Sequence, residues 1–151
     1  MSERDRDPAG RPRNARPRDE TGRPQPHGAD DAPPVRQPTS PADAITLADE
    51  LLVAGRPFAA HEVLEEVWHT AAPGERDLWQ GLAQLCVGFT HLQRGNTRGA
   101  ATLLRRGAGR LADCDGTAYD VDVQRVIVDA LRVAEQIENG EPGAVSVRLG
   151  T

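Results

Sequence analysis

His61, Glu65 and Trp68 stand at i, i+4 and i+7 within Phe58-Ala59-Ala60-His61-Glu62-Val63-Leu64-Glu65-Glu66-Val67-Trp68, a stretch that reads as a helix. At that spacing an imidazole, a carboxylate and an indole line up along one helix flank. The flank borders the apolar stripe of Phe58, Leu64 and Val67. An imidazole and a carboxylate one turn apart can share a metal ion, pass a proton, or bond to each other inside a satisfied polar cluster. His61-Glu62-Val63-Leu64-Glu65 has the form of a zincin helix whose second histidine is replaced by glutamate. A catalytic zinc also needs a third protein ligand and an open position. His91 is the candidate for that ligand, which makes His61, Glu65 and His91 the candidate metal set and Glu62 the candidate base of a metal-dependent hydrolase.

A second polar row lies downstream. Gln80, Gln84 and His91 are separated by four and seven residues, again one helix face. If the two helices pack antiparallel, His61, Glu62, Glu65, Trp68, Gln80, Gln84 and His91 form the candidate pocket. Three uses of it stay open: a structural hydrogen-bonded cluster, a metal centre, or a pocket for a small molecule or a peptide. Glu62, Glu66 and His69 make a parallel row turned further toward solvent, the default for a charged helix face. No nucleophile stands beside a matching base, and no glycine loop follows a strand to cradle phosphate. Lysine is absent from the 151 residues, so Schiff-base chemistry is excluded.

Helices must position these rows, and the punctuation for them is plain. Ser40-Pro41 starts a first helix that Gly55 stops, with Ile45, Ala48, Leu51 and Leu52 as its stripe. Arg56-Pro57 opens the second, which runs to about Thr70 before the Pro73-Gly74 turn. The third, about residues 75–94, repeats Leu78, Trp79, Leu82, Leu85, Cys86, Phe89 and Leu92 at three- and four-residue steps. Gly81 and Gly88 lie a heptad apart and fit close approach of a neighbouring helix. Gly95-Asn96 turns the chain into a fourth helix, about Thr97 to Leu111, with Ala100, Leu103, Leu104 and Leu111 inward. After an Asp115-Gly116 loop, Thr117 or Asp120 can cap a fifth, ending near Asn139-Gly140. Its stripe is Val123, Val126, Ile127, Ala130, Leu131, Ala134 and Ile137. No period-two pattern interrupts the series, so the fold class is all-α: a single five-helix bundle of antiparallel hairpins.

Residues 1–40 differ in kind. They hold eight Pro, eight Arg and seven acids, with Val35 as the one aliphatic side chain beyond Ala apart from Met1. So little apolar surface does not offset an ordering cost of roughly 1–2 kcal/mol per residue, and a disordered Pro/Arg-rich tail is expected. The expected organisation is thus a tail over 1–40, a helical domain over 41–140 and an extension over 141–151. Beyond residue 40, ten Arg face 16 acids. That balance argues against nucleic acid as the folded domain's main partner, because phosphate binding needs a concentrated cationic face. No run approaches the ~18 apolar residues of a membrane span, and no signal-peptide core is visible. Two cysteines without metal spacing fit a reducing cytoplasm. The sequence names no cofactor. Its partner is an unidentified protein or small molecule, with a homodimer through a surplus apolar face of the fifth helix as a further option.

The combination of these residues resembles a family catalogued as domain of unknown function 309. Its pattern is His-Glu-x-x-Glu-x-x-Trp, here His61, Glu62, Glu65 and Trp68. A Gln-Gly-Leu-x-Gln core follows (Gln80, Gly81, Leu82, Gln84), then His91, the Gly95-Asn96 turn, Gly99-Ala100 and the Leu103-Leu104 pair. The resemblance covers roughly residues 48–111. It implies an all-helical bundle and brings no activity with it, the family being defined without one. More faintly, Gly88, His91, Gly95, Ala100, Leu104 and Gly107 resemble the positions of one tetratricopeptide hairpin, a hint that helices three and four pack closely.

Overall fold

A computed structural model describes residues 5–6, 12–13, 33–114, 117–119, 121–141 and 147–150. Five helices follow in chain order: α1 (Pro41–Val53), α2 (Pro57–Thr70), α3 (Arg76–Gln93), α4 (Thr97–Leu111) and α5 (Val123–Glu138). Strand pairing among the described residues is confined to two antiparallel two-residue ladders, Asp5–Arg6 with Pro12–Arg13 and Thr117–Ala118 with Val121–Asp122. The fold is all-α. The expected tail over residues 1–40 falls mostly outside the described residues, as does the Asp115-Gly116 loop.

Local chemistry sets the helix ends. Ser40 Oγ accepts from Asp43 N at 3.0 Å, Pro41 opens α1, and Gly55 leaves it at φ +75°. Asn96 Oδ1 accepts from Gly99 N at 3.0 Å and starts α4. The fifth helix begins later than Thr117 or Asp120 would place it: Asp122 is the cap, accepting from Arg125 N at 3.2 Å. A tertiary contact shifts that start. Tyr119, at φ +54°, donates its hydroxyl to Glu75 at 2.6 Å and lays its ring 5.5 Å from Trp79, so Tyr119 is pinned over the first turn of α3.

Each helix packs chiefly on its chain neighbours, and all five surround one core. Trp79, Leu82, Leu85, Cys86 and Phe89 of α3 are fully buried, as a helix flanked on two sides requires. The α3–α4 seam is tight because it is built on glycine. A Cβ on Gly107 would come within 2.9 Å of Gly81 O, and one on Gly88 within 3.3 Å of Ala100 O. These pairs advance along α3 while receding along α4, so the two helices run antiparallel. The same holds for α2 and α3: Gln93 Nε2 donates to Gly55 O at 2.7 Å at one end, and Arg76 covers the Trp68 ring at 4.6 Å at the other.

The buried face of α5 is turned from the expected stripe. Val133 is buried, Ile127 is half-buried, and Leu131 and Val128 are exposed. Packed chiefly against α4, this helix buries a narrower strip than a seven-residue stripe supplies. In α4, Leu103 is likewise half-buried rather than buried. Residues 147–150 return to the core: Val147 and Leu149 are buried, Asp49 accepts from Leu149 N and Gly150 N at 2.7 Å each, and Arg125 donates to Arg148 O and Gly150 O at 2.8 and 2.9 Å. No helix among the described residues is long and apolar enough to cross a membrane.

Candidate functional site

The site is built from α2 outward. Leu64 and Ala60 point into the core with no exposure, which fixes the rotation of the helix. That rotation leaves His61, Glu65 and Trp68 half-buried on the flank facing α3. His61 is held on both sides. Its Nε2 lies 2.7 Å from Glu65 Oε2, and its ring sits 5.4 Å from Phe58, one turn earlier. Glu65 is shared, because His69 Nε2 is 3.7 Å from its other oxygen. A carboxylate can only accept, so His61 Nε2 carries a hydrogen toward it, and in the neutral tautomer Nδ1 is an acceptor.

Across from this row, α3 contributes Gln80, Ala83, Gln84 and Val87. Together with His61, Glu65 and Trp68 they line a half-open groove of about 270 Å³ between α2 and α3. Three atoms belonging to its lining are out of contact with solvent and lack a hydrogen-bond partner: His61 Nδ1, Trp68 Nε1 and Gln84 Oε1. An unmade hydrogen bond at a buried polar atom costs about 1–3 kcal/mol, so three at one groove are a concentrated liability. Charge at the rim is mixed, with the Glu65 carboxylate opposed by Arg76 over the face of Trp68.

Five of the seven sequence-derived pocket residues therefore meet: His61, Glu65, Trp68, Gln80 and Gln84. Glu62 is exposed and outside the groove lining. His91 is also outside the lining, although it shares a face with Gln84. Seven residues further along α3 amounts to about 10 Å of helix rise, and there its Nδ1 accepts from the Asn96 amide at 3.1 Å, closing the α3–α4 turn. Among the described residues no three His, Cys, Asp or Glu side chains gather around a point where one ion could sit. The candidate set of His61, Glu65 and His91 is thus not assembled. Ala83, Val87 and Arg76 were not anticipated. The first two were findable, since 80, 83, 84 and 87 follow the helical repeat; Arg76 reaches Trp68 only through the tertiary packing of α2 on α3.

Residues 45–103 match the family described as "Domain of unknown function (DUF309)". The segment contains every residue of the groove. Over 85 residues the chain is 35% identical to "Uncharacterized protein YpuF" of Bacillus subtilis (strain 168), an alignment covering 54% of this chain and 48% of that protein. The chain thus spans about half the length of this curated relative. No solved structure matches it.

Proposed function

We propose that the domain is a binding module whose ligand enters the groove between α2 and α3. The observation that carries this reading is a set of three partnerless buried polar atoms on side chains that line one groove. A purely structural cluster satisfies its members from within, and here only the His61–Glu65 bond does so. His61 Nδ1, Trp68 Nε1 and Gln84 Oε1 are left without protein partners on side chains that line the groove, as suits side chains whose complement arrives from outside. Their burial is shallow: the His61 side chain retains 19% exposure and the groove is open along one side. In this reading a side-chain rotation brings these atoms to an entering group, and the unmade hydrogen bonds favour it.

The test uses the two tryptophans of the chain as probe and control. Trp79 is fully buried in the core, and Trp68 lines the groove. In ¹H–¹⁵N spectra of the full chain, with the indole signals assigned by Trp68→Phe, a screen of small neutral, anionic and cationic compounds should give saturable shifts at the Trp68 indole N–H while Trp79 stays still. A Trp68 signal unmoved by every class of compound overturns the reading.

A further inference from the structure

Resting on that reading, we infer that the groove recognises a neutral primary carboxamide or urea group. The hydrogen-bonding inventory leads there. Trp68 Nε1–H can only donate. Gln84 Oε1 can only accept, and His61 Nδ1 accepts in the neutral tautomer whose one hydrogen sits on Nε2, toward Glu65. The complement of one donor and two acceptors is a group with a carbonyl oxygen and two N–H hydrogens. A carboxylate supplies the oxygen and sets negative charge against two acceptors. An amidinium supplies the N–H groups and leaves the Trp68 N–H unmatched. Of the three groups compared, the carboxamide and urea type is the one that matches all three atoms.

Charge and shape agree with this. Glu65 and Arg76 bring opposite charges to the same rim, so the groove favours neither sign. Ala83 and Val87 supply an apolar strip beside the polar atoms, and Gln80 a further amide. A space of about 270 Å³ lies just below the usual range of small-molecule pockets. It suits one substituted ring or one amino-acid side chain. The shared chemistry has two sources, a free carboxamide compound or a Gln or Asn side chain presented by a polypeptide.

Four probes separate the outcomes, each titrated into the full chain and followed at the Trp68 indole N–H: benzamide, benzoate and benzamidine, which share one size and shape, and N-acetylglutamine methylamide. Benzamide should bind at least tenfold more tightly than benzoate and benzamidine, and Gln84→Met should erase that preference while the Trp79 signal shows the core intact. Tighter binding of the glutamine derivative assigns the carboxamide to a polypeptide, and tighter binding of benzamide to a free compound. Benzoate or benzamidine binding as tightly as benzamide overturns the carboxamide assignment and leaves the groove reading standing. A preference that survives Gln84→Met overturns the role given to Oε1 and the assignment with it. No response to any of the four removes both the assignment and the binding reading.

Discussion

Gly107→Ala and Gly109→Ala make one experiment on the α3–α4 seam that holds up the groove's far wall. The two glycines are two residues apart on α4 and receive the same added methyl. Within a helix, Ala is favoured over Gly by about 1 kcal/mol, so intrinsic preference stabilises both variants. Their surroundings differ. A Cβ at position 109 meets nothing within 4 Å. At 107 it would lie 2.7 Å from Leu85 Cδ2 and 2.9 Å from Gly81 O. Leu85 is fully buried and has no space to swing into, and Gly81 O is main chain, so the helices themselves must separate. Overpacking of this kind costs about 1–3 kcal/mol. Gly109→Ala should thus gain up to about 1 kcal/mol, and Gly107→Ala should come out between neutral and about 2 kcal/mol destabilised once the propensity gain is offset. Thermal unfolding followed by circular dichroism should separate the two midpoints by roughly 5–15 °C for a domain of this size. Equal midpoints, or a higher one for Gly107→Ala, would refute the close backbone approach from which the seam is derived.

Other consequences follow from side chains the seam positions. Gln84→Met should raise the urea midpoint, by about 1 kcal/mol or more of stability, because it replaces a buried acceptor without a partner by an apolar chain of similar length; a lower midpoint would mean that the amide is structurally satisfied. Arg36 beside Asp43, together with the Thr39 N–H, holds that carboxyl well below the usual carboxylate range, and Arg105 lowers that of Glu138. Both shifts are downward, so the stability they contribute is complete above about pH 4 and is lost as the pH falls below it. Urea midpoints between pH 6 and pH 3 should therefore decline less steeply for Asp43→Asn than for the native chain, and identical slopes would rule out that contribution. Asp49→Ala removes the acceptor of the Leu149 and Gly150 N–H groups; hydrogen exchange at those two amides should quicken at least tenfold, and unchanged protection would show that Val147 and Leu149 alone hold the segment.

Most of this architecture is legible before any coordinates, for reasons that can be named. Ser40-Pro41, Gly55 and Gly95-Asn96 act through local φ/ψ and capping chemistry, so α1, α2 and α4 begin and end where the residues demand. The start of α5 was not legible, because Thr117, Asp120 and Asp122 are all competent caps and the choice is made by Tyr119 meeting Glu75 and Trp79, far away in sequence. The stripe of α5 failed similarly at Leu131 and Val133: periodicity gives a face, while the packing partner decides how wide a part of it is covered. For the site, the i, i+4, i+7 spacing of His61, Glu65 and Trp68 and the row of Gln80 and Gln84 follow from helical repeat alone, and these five residues line one groove. His91 lies outside that groove, because sharing a face says nothing of distance along the axis. The partnerless state of His61 Nδ1, Trp68 Nε1 and Gln84 Oε1 depends on three-dimensional neighbours and leaves no mark in the sequence.

A high-resolution crystal structure of the full chain soaked with benzamide puts the central claim to its most direct trial. The account predicts the ring between α2 and α3 against Ala83 and Val87, its carbonyl oxygen accepting from Trp68 Nε1 and its amide N–H groups reaching His61 Nδ1 and Gln84 Oε1. Benzamide bound elsewhere, with those three atoms found paired to neighbouring protein groups, would contradict it.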